Sequence, residues 1–229
     1  LIIIIKEKKN ILIHFMELKT FLSLKTNLKE IHLPGSKAHT LLAPPNRASD
    51  LININSININ TKEAAVLIHF YPSTDGQLSL VLIKRNKNIG IHSDQISFPG
   101  GKYEYQDCDL WATALREANE EVGIQKSQVK YVMTLSKIFV PPSNFLVTPY
   151  LSYGFFRPDF ILEISEVSSI IEFPLNDLLK MKVSKVSLLS YNKISVEVPC
   201  YKYNKKIIWG ATAMILSELK MIIQNTLTK

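Results

Sequence analysis

Between Asp107 and Gly123 the chain carries its strongest helix signal. Asp107 or Asp109 can cap the N-terminus with a side-chain oxygen, and Gly123 can end the helix in the left-handed conformation. Trp111, Leu115, Ala118 and Val122 recur at helical spacing and supply a face to bury. Glu117, Glu120 and Glu121 stand at i, i+3 and i+4, so three carboxylates share an adjoining face. Packed carboxylates repel, and no lysine is placed one turn away to offset them. On spacing alone, a solvated acidic face is the ordinary outcome. Just upstream, however, Pro99-Gly100-Gly101 reads as a tight turn whose glycines let backbone approach a ligand, and residues 102–108 carry that turn to the helix start. A hard divalent cation, Mg2+ or Mn2+, prefers the oxygen ligands such an arrangement offers.

Around this helix the pattern alternates strands with helices, which predicts a sheet covered by helices. Residues 16–31 read as an amphipathic helix carrying Leu18, Phe21, Leu22 and Leu28, broken at Pro34-Gly35. The Ile-Asn repeats of 51–61 read as a linker. Strands are expected at Ala64–Tyr71 and Leu78–Arg85, joined as a hairpin, with a polar loop over 86–97. Further strands are expected at 129–140, 147–156 and 170–173, a short helix at 174–179, a hairpin within 183–198, a strand at 207–209 and a helix at 211–227. The division expected is upstream or vector-derived sequence at 1–15, an N-terminal helix and linker at 16–62, and the main domain at 63–229. The reason for the first boundary is that position 1 is Leu, while Met16 offers a natural start.

Composition narrows the function class. The net charge of +7 suits an anionic small-molecule partner, but the lysines are scattered and no basic run interleaves with aromatics, so nucleic acid is not an expected partner. No apolar run reaches the roughly 18 residues of a membrane span, and Leu1–Ile5 precede rather than follow their charges, unlike a secretory signal. The two cysteines, Cys108 and Cys200, are expected to be free thiols in a reducing compartment, the cytoplasm.

The string Gly101, five residues, Asp107, eight residues, then Arg116-Glu117-Ala118-Asn119-Glu120-Glu121-Val122-Gly123-Ile124 resembles the Nudix box. That signature reads Gly, five residues, Glu, seven residues, Arg-Glu-aliphatic-x-Glu-Glu-x-Gly-aliphatic. Asp107 stands where Glu is usual, and one extra residue precedes Arg116. The longer spacing resembles the coenzyme A diphosphatase branch, which has a second signature ending in Gly, three residues and Phe-Pro-Gly-Gly. Here Phe98-Pro99-Gly100-Gly101 matches, with Asp94 in place of that Gly, Gly90 in place of an Arg, and Arg85 at the Arg of the earlier part.

The resemblance implies an α/β fold, the Nudix α/β/α sandwich with a mixed β-sheet flanked by helices. It implies a metal-dependent diphosphatase that converts coenzyme A or its derivatives to 3',5'-ADP and (acyl-)4'-phosphopantetheine. By position, Glu117, Glu120 and Glu121 would hold Mg2+ or Mn2+ with the Gly101 carbonyl, and Arg116 would orient a glutamate. The general base is either Glu117 or a loop acid such as Glu166. Lys84 and Arg85 are candidates to contact phosphate, or are a solvated strand end. His92 reads as a packed or capping residue. Phe145 and Tyr150 read as core or as pocket lining. The alternatives are another nucleoside diphosphate derivative, such as ADP-ribose or a dinucleoside polyphosphate, RNA pyrophosphohydrolysis, or a Nudix-like module that binds a nucleotide without turnover. Homodimer formation is compatible with all of these.

Overall fold

The computed structural model describes residues 17–29, 31–47, 57–87, 94–189 and 195–228. The expectations placed on residues 1–15, on Gly90 and His92, and on most of the Ile-Asn stretch lie outside the described residues. Two strands distant in sequence form the centre. β1 (Lys62–Pro72) and β7 (Phe145–Tyr153) run parallel, in register from Lys62↔Phe145 to Phe70↔Tyr153. β2 (Leu78–Arg85) returns antiparallel to β1 but pairs with it only from Phe70↔Leu80 to Pro72↔Leu78, as a hairpin. Beyond that the two strands splay. A single segment fills the gap: its first part, β3 (Ile96–Ser97), pairs with β2, and its last, β4 (Gly100–Lys102), pairs with Ala64–Val66 of β1. Between them the Pro99 carbonyl accepts from the Leu67 N–H at 2.8 Å. The expected tight turn is therefore corrected, because both glycines belong to a strand that exists only through its distant partner.

β5 (Lys130–Thr134) and β6 (Ile138–Val140) both lie antiparallel along β7, and β8 (Val167–Pro174) lies along β2, which completes an eight-stranded mixed sheet. The one strand expected over 129–140 is thus two. The ladder shifts register between Tyr131 and Met133, and the Leu135 N–H turns to the Pro149 carbonyl at 2.9 Å. β9 (Ser184–Leu189), β10 (Ser195–Tyr203) and β11 (Lys206–Trp209) form a second, three-stranded antiparallel sheet.

Successive strand residues point to opposite faces, and each face meets helices. Ala65, Leu67, Val81 and Ile83 pack with Ala114, Leu115, Ala118 and Val122 of the long helix Leu110–Val122. On the other face, Ile68, Phe70, Leu80 and Leu82 pack with Phe21 and Leu28 of α1 (Leu18–Lys29) and with Ile215 and Leu219 of the C-terminal helix (Gly210–Leu227). The result is the expected helix–sheet–helix sandwich. In chain order the remaining helices are α2 (Ser36–His39), α3 (Leu110–Val122), α4 (Leu175–Lys180) and α5 (Gly210–Leu227).

The N-terminal segment is part of this core, since Phe21, Leu28 and Leu42 are fully buried. It is also tied by polar bonds. Glu218 of α5 has no exposed surface and accepts from the Gly35 N–H at 3.1 Å and from Ser136 Oγ at 2.6 Å, with His39 Nε2 3.0 Å away. A carboxylate tolerates such burial because its oxygens are hydrogen-bonded, and these bonds hold its acidity on the strong side despite desolvation. Among the described residues no helix is long and apolar enough to cross a membrane.

Candidate active site

The site is built from the α3 glutamates and the glycine strand beside them. Asp109 caps α3, its side chain accepting from the Ala112 N–H at 2.7 Å. Gly123 closes the helix at φ 78°, its N–H bonding the Asn119 carbonyl at 2.8 Å and the next N–H, of Ile124, bonding the Ala118 carbonyl at 3.2 Å. This fixes Glu117 and Glu121 on the side of α3 that faces β4. Gly101 lies so close to Glu117 that a Cβ there would sit 2.5 Å from the carboxyl carbon. Gly100 is doubly constrained. Its φ is +151°, and a Cβ would fall 2.3 Å from the Ala65 carbonyl oxygen.

Glu121 is almost fully buried, accepting from the Gly100 N–H at 2.9 Å and from Arg85 Nη1 at 3.1 Å. Burial pushes its pKa up to about 7, against the pull of those two donors and with the Glu117 and Glu166 charges adding to the rise. Glu117 is also raised, chiefly by burial, with Glu120 and Glu166 adding repulsion and Arg116 opposing. Glu166 is exposed on the segment between β7 and β8, yet its charge reaches both glutamates.

Arg116 is the hub. Nε and Nη2 grip Asp107 at 2.9 and 3.0 Å, Nη1 bridges Glu117 at 3.0 Å and Glu120 at 2.9 Å, and Nη2 also reaches the Lys102 carbonyl at 3.0 Å. A guanidinium has five N–H donors, and these five bonds engage them all. The cation missing from the lysine pattern is therefore this arginine, paired i to i+4 with Glu120. Asp107 is buried, accepts further from Thr113 Oγ1 at 2.8 Å and the Glu104 N–H at 3.0 Å, and is held down to about 2, most of all by Arg116. The extra residue before the helix thus leaves Asp107 in reach of Arg116. The residue that caps α3 is Asp109.

Arg85 and Lys84 part company because adjacent strand residues face opposite ways. Arg85 joins the glutamates, whereas Lys84 turns to Asp94 at 2.8 Å. That pairing bears on Asp94, which adopts φ 61°, a conformation that glycine favours and aspartate tolerates. Phe145 lines the cleft described next. Tyr150 does not, and packs edge-on against Trp111 at 5.4 Å.

A cleft of about 1000 Å3 opens beside β4. Gly100, Gly101 and Arg85 stand on its wall, which continues over Val66, Val147, Val198 and Trp209, so it is mostly apolar. The glutamates, Glu166 and Lys84 are not on that wall. The carboxylates of the cluster offer only oxygen as ligand atoms, which fits a hard divalent cation. The fit is supported by charge: among the described residues Arg116 bonds Asp107, Glu117 and Glu120 while Arg85 bonds Glu121, and the neighbouring carboxylates, Glu166 among them, add to the rise that burial causes at Glu117 and Glu121. Among the described residues no three acidic, histidine or cysteine side chains already converge as ligands of one ion, and Arg116 bridges two of the carboxylates an ion would draw on.

A glycine strand set against a glutamate-bearing helix on a mixed sheet defines a class, and sequence comparison gives its family. The model of the NUDIX domain matches residues 61–189, and the chain belongs to the Nudix family. It is a hydrolase of that family, acting on phosphorus-containing anhydrides in nucleoside diphosphate derivatives. It is 33% identical over 190 residues, covering 79% of this chain and 90% of the relative, to an uncharacterized Nudix hydrolase NudL of Photorhabdus laumondii subsp. laumondii. It is 32% identical to the chloroplastic Nudix hydrolase 22 of Arabidopsis thaliana over 73% of this chain and 57% of that longer protein. The crystal structure of a C. elegans Ap4A hydrolase binary complex aligns with a TM-score of 0.43 at 22% identity, covering 52% of this chain and 84% of that one.

Proposed function

We propose that this protein hydrolyses the diphosphate bond of coenzyme A or its acyl derivatives, giving 3',5'-ADP and (acyl-)4'-phosphopantetheine. The observation that carries the reading is the β4 strand, where Gly100 and Gly101 border the buried Glu121 and the half-buried Glu117 on one side and a mostly apolar cleft on the other. A diphosphate at that border leaves an extended, largely uncharged arm to occupy the cleft. The Phe98-Pro99-Gly100-Gly101 run and the lengthened spacing to Arg116 support the same substrate.

Glu117, Glu120, Glu121 and the Gly101 carbonyl would hold Mg2+ or Mn2+. When bound, the ion neutralises phosphate oxygens and lowers the pKa of water. Arg116 keeps Glu117 and Glu120 aligned while Asp107 keeps Arg116 aligned. Arg85 holds Glu121 and stands on the cleft wall, within the surroundings of an incoming phosphate. Glu166 accepts the proton of the attacking water. It is exposed and beside the cluster, whereas Glu117 is bound to Arg116. The protein's contribution is then mostly positioning and charge stabilisation.

A panel of coenzyme A, acyl-coenzyme A, ADP-ribose and diadenosine polyphosphates with Mg2+ or Mn2+ tests the substrate. Turnover of another compound with coenzyme A untouched would overturn it while leaving the family intact. Glu120→Gln is expected to cut kcat/KM by orders of magnitude with an unchanged melting temperature. Full Mg2+-dependent activity in that variant would remove Glu120 from the site.

A further inference from the structure

The segment that carries Glu166 has little to hold it by packing. From Glu163 to Glu166 every residue is exposed, including Ile164 at 81%, and burial resumes only at Val167. Turn bonds shape it: the Glu166 N–H meets the Glu163 carbonyl at 3.0 Å, and Ser165 Oγ meets Glu163 Oε1 at 2.6 Å. One side is fastened to α3, where the Glu163 N–H bonds the Glu121 carbonyl at 3.1 Å. Among the described residues, the other side is fastened by Asn86. Asn86 donates its side-chain Nδ2 to the Ile164 carbonyl at 2.6 Å and its backbone N–H to the Glu166 carbonyl at 2.8 Å.

We infer that Asn86 is a positioning residue that sets Glu166 over the α3 glutamates, a role that rests on Glu166 acting in the proposed reaction. Asn86 follows Arg85 directly, at a bulge where the β2–β8 ladder slips between Lys84 and Arg85. The two neighbours then divide the work. Arg85 grips Glu121 inside the site, and Asn86 grips the backbone on both sides of Ser165 outside it. The arrangement couples the end of β2 to the placement of an acid far along the chain. Where packing is thin, hydrogen bonds decide the geometry of a loop, and an error of about 1 Å in a catalytic group costs on the order of 100-fold. The side-chain bond is the part a mutation can remove, because the backbone N–H survives any substitution but proline.

The test is a double-mutant cycle with coenzyme A and Mg2+ in the full chain, using Asn86→Ala, Asn86→Asp, Glu166→Gln and Asn86→Ala/Glu166→Gln. Asn86→Asp keeps size and removes the donor, which separates the bond from packing. Each Asn86 variant is expected to lower kcat about 10-fold with KM unchanged, and Glu166→Gln to lower it about 100-fold. In the Glu166→Gln background, Asn86→Ala is expected to add nothing. Hydrogen–deuterium exchange of the peptide covering 161–167 should rise in both Asn86 variants while the rest of the protein keeps its protection. Wild-type kcat in the Asn86 variants, or a loss that multiplies with that of Glu166→Gln, overturns the inference while Glu166 keeps its role. Wild-type activity of Glu166→Gln instead defeats the role given to Glu166.

Discussion

At the residue scale, a contact distance makes Gly101 unforgiving. Gly101→Ala would set a methyl 2.5 Å from the Glu117 carboxyl carbon, so Glu117 must move. Activity is expected to drop about 100-fold with little change in melting temperature, since the clash is with a side chain and not with backbone. Parallel kinetics and thermal unfolding would check this, and a variant with normal kcat/KM would show the close approach to be incidental. His69 gives a pH prediction. It is fully buried, its Nδ1 faces Ser152 Oγ at 2.9 Å, and burial lowers its pKa from 6.5 to about 4. The folded pKa lies below the unfolded one, so the imidazole stays neutral in the fold while the unfolded chain takes up a proton. Stability from this group is complete above pH 6.5 and drains as pH falls toward 4, by about 3 kcal/mol in all. Urea midpoints at pH 7.5 and 4.5 should show a smaller acid loss in His69→Gln than in the wild type, and equal losses would exclude the effect.

At the element scale, legibility follows the range of the interactions. α3 spans Leu110–Val122 as the sequence suggests, because its cap, its apolar stripe and its terminal glycine all lie within a few residues of one another. β4 was not legible, because three residues beginning with two glycines have no strand preference and are extended only by pairing with Ala64–Val66. The same divide runs through the site. The Glu117, Glu120 and Glu121 face is periodic and readable. The engagement of Arg116 by Asp107, the turn of Lys84 to Asp94 and the hold of Arg85 on Glu121 depend on which loops meet. The candidacy of Glu166 rests on resemblance to a family, and no local pattern marks Asn86. Asp109→Ala is expected to remove the α3 cap and cost about 1 kcal/mol, seen as a lower denaturation midpoint, with kcat retained once folded. An unaltered midpoint would mean that the helix start is held from elsewhere.

At the scale of the whole molecule, the matched family segment, 61–189, is not the whole folding unit. Phe21, Leu28 and Leu42 are fully buried in the core shared with α5, and Glu218 binds Gly35 and Ser136. A chain starting at Thr61 is therefore expected to lose the cooperative thermal transition shown by the full chain. Phe21→Ala alone should cost about 3–5 kcal/mol. A truncated chain that melted like the full one would show the N-terminal segment to be an accessory. The cleft has the same composite character. Val198 and Trp209 on its wall lie beyond the matched segment, as do the N-terminal residues and α5 that complete the core.

The parallel pairing of β1 with β7 has a consequence in time. His69 and Ser152 bond across that pair from 83 positions apart, so a long loop must close before the centre of the sheet exists. α3 can form early from local signals, but its glutamates face nothing until β1 is in place to receive β4. The reactive geometry is thus expected to mature after α3 itself. A chain caught before β4 docks would carry the glutamate helix of the Nudix box without the strand its chemistry needs.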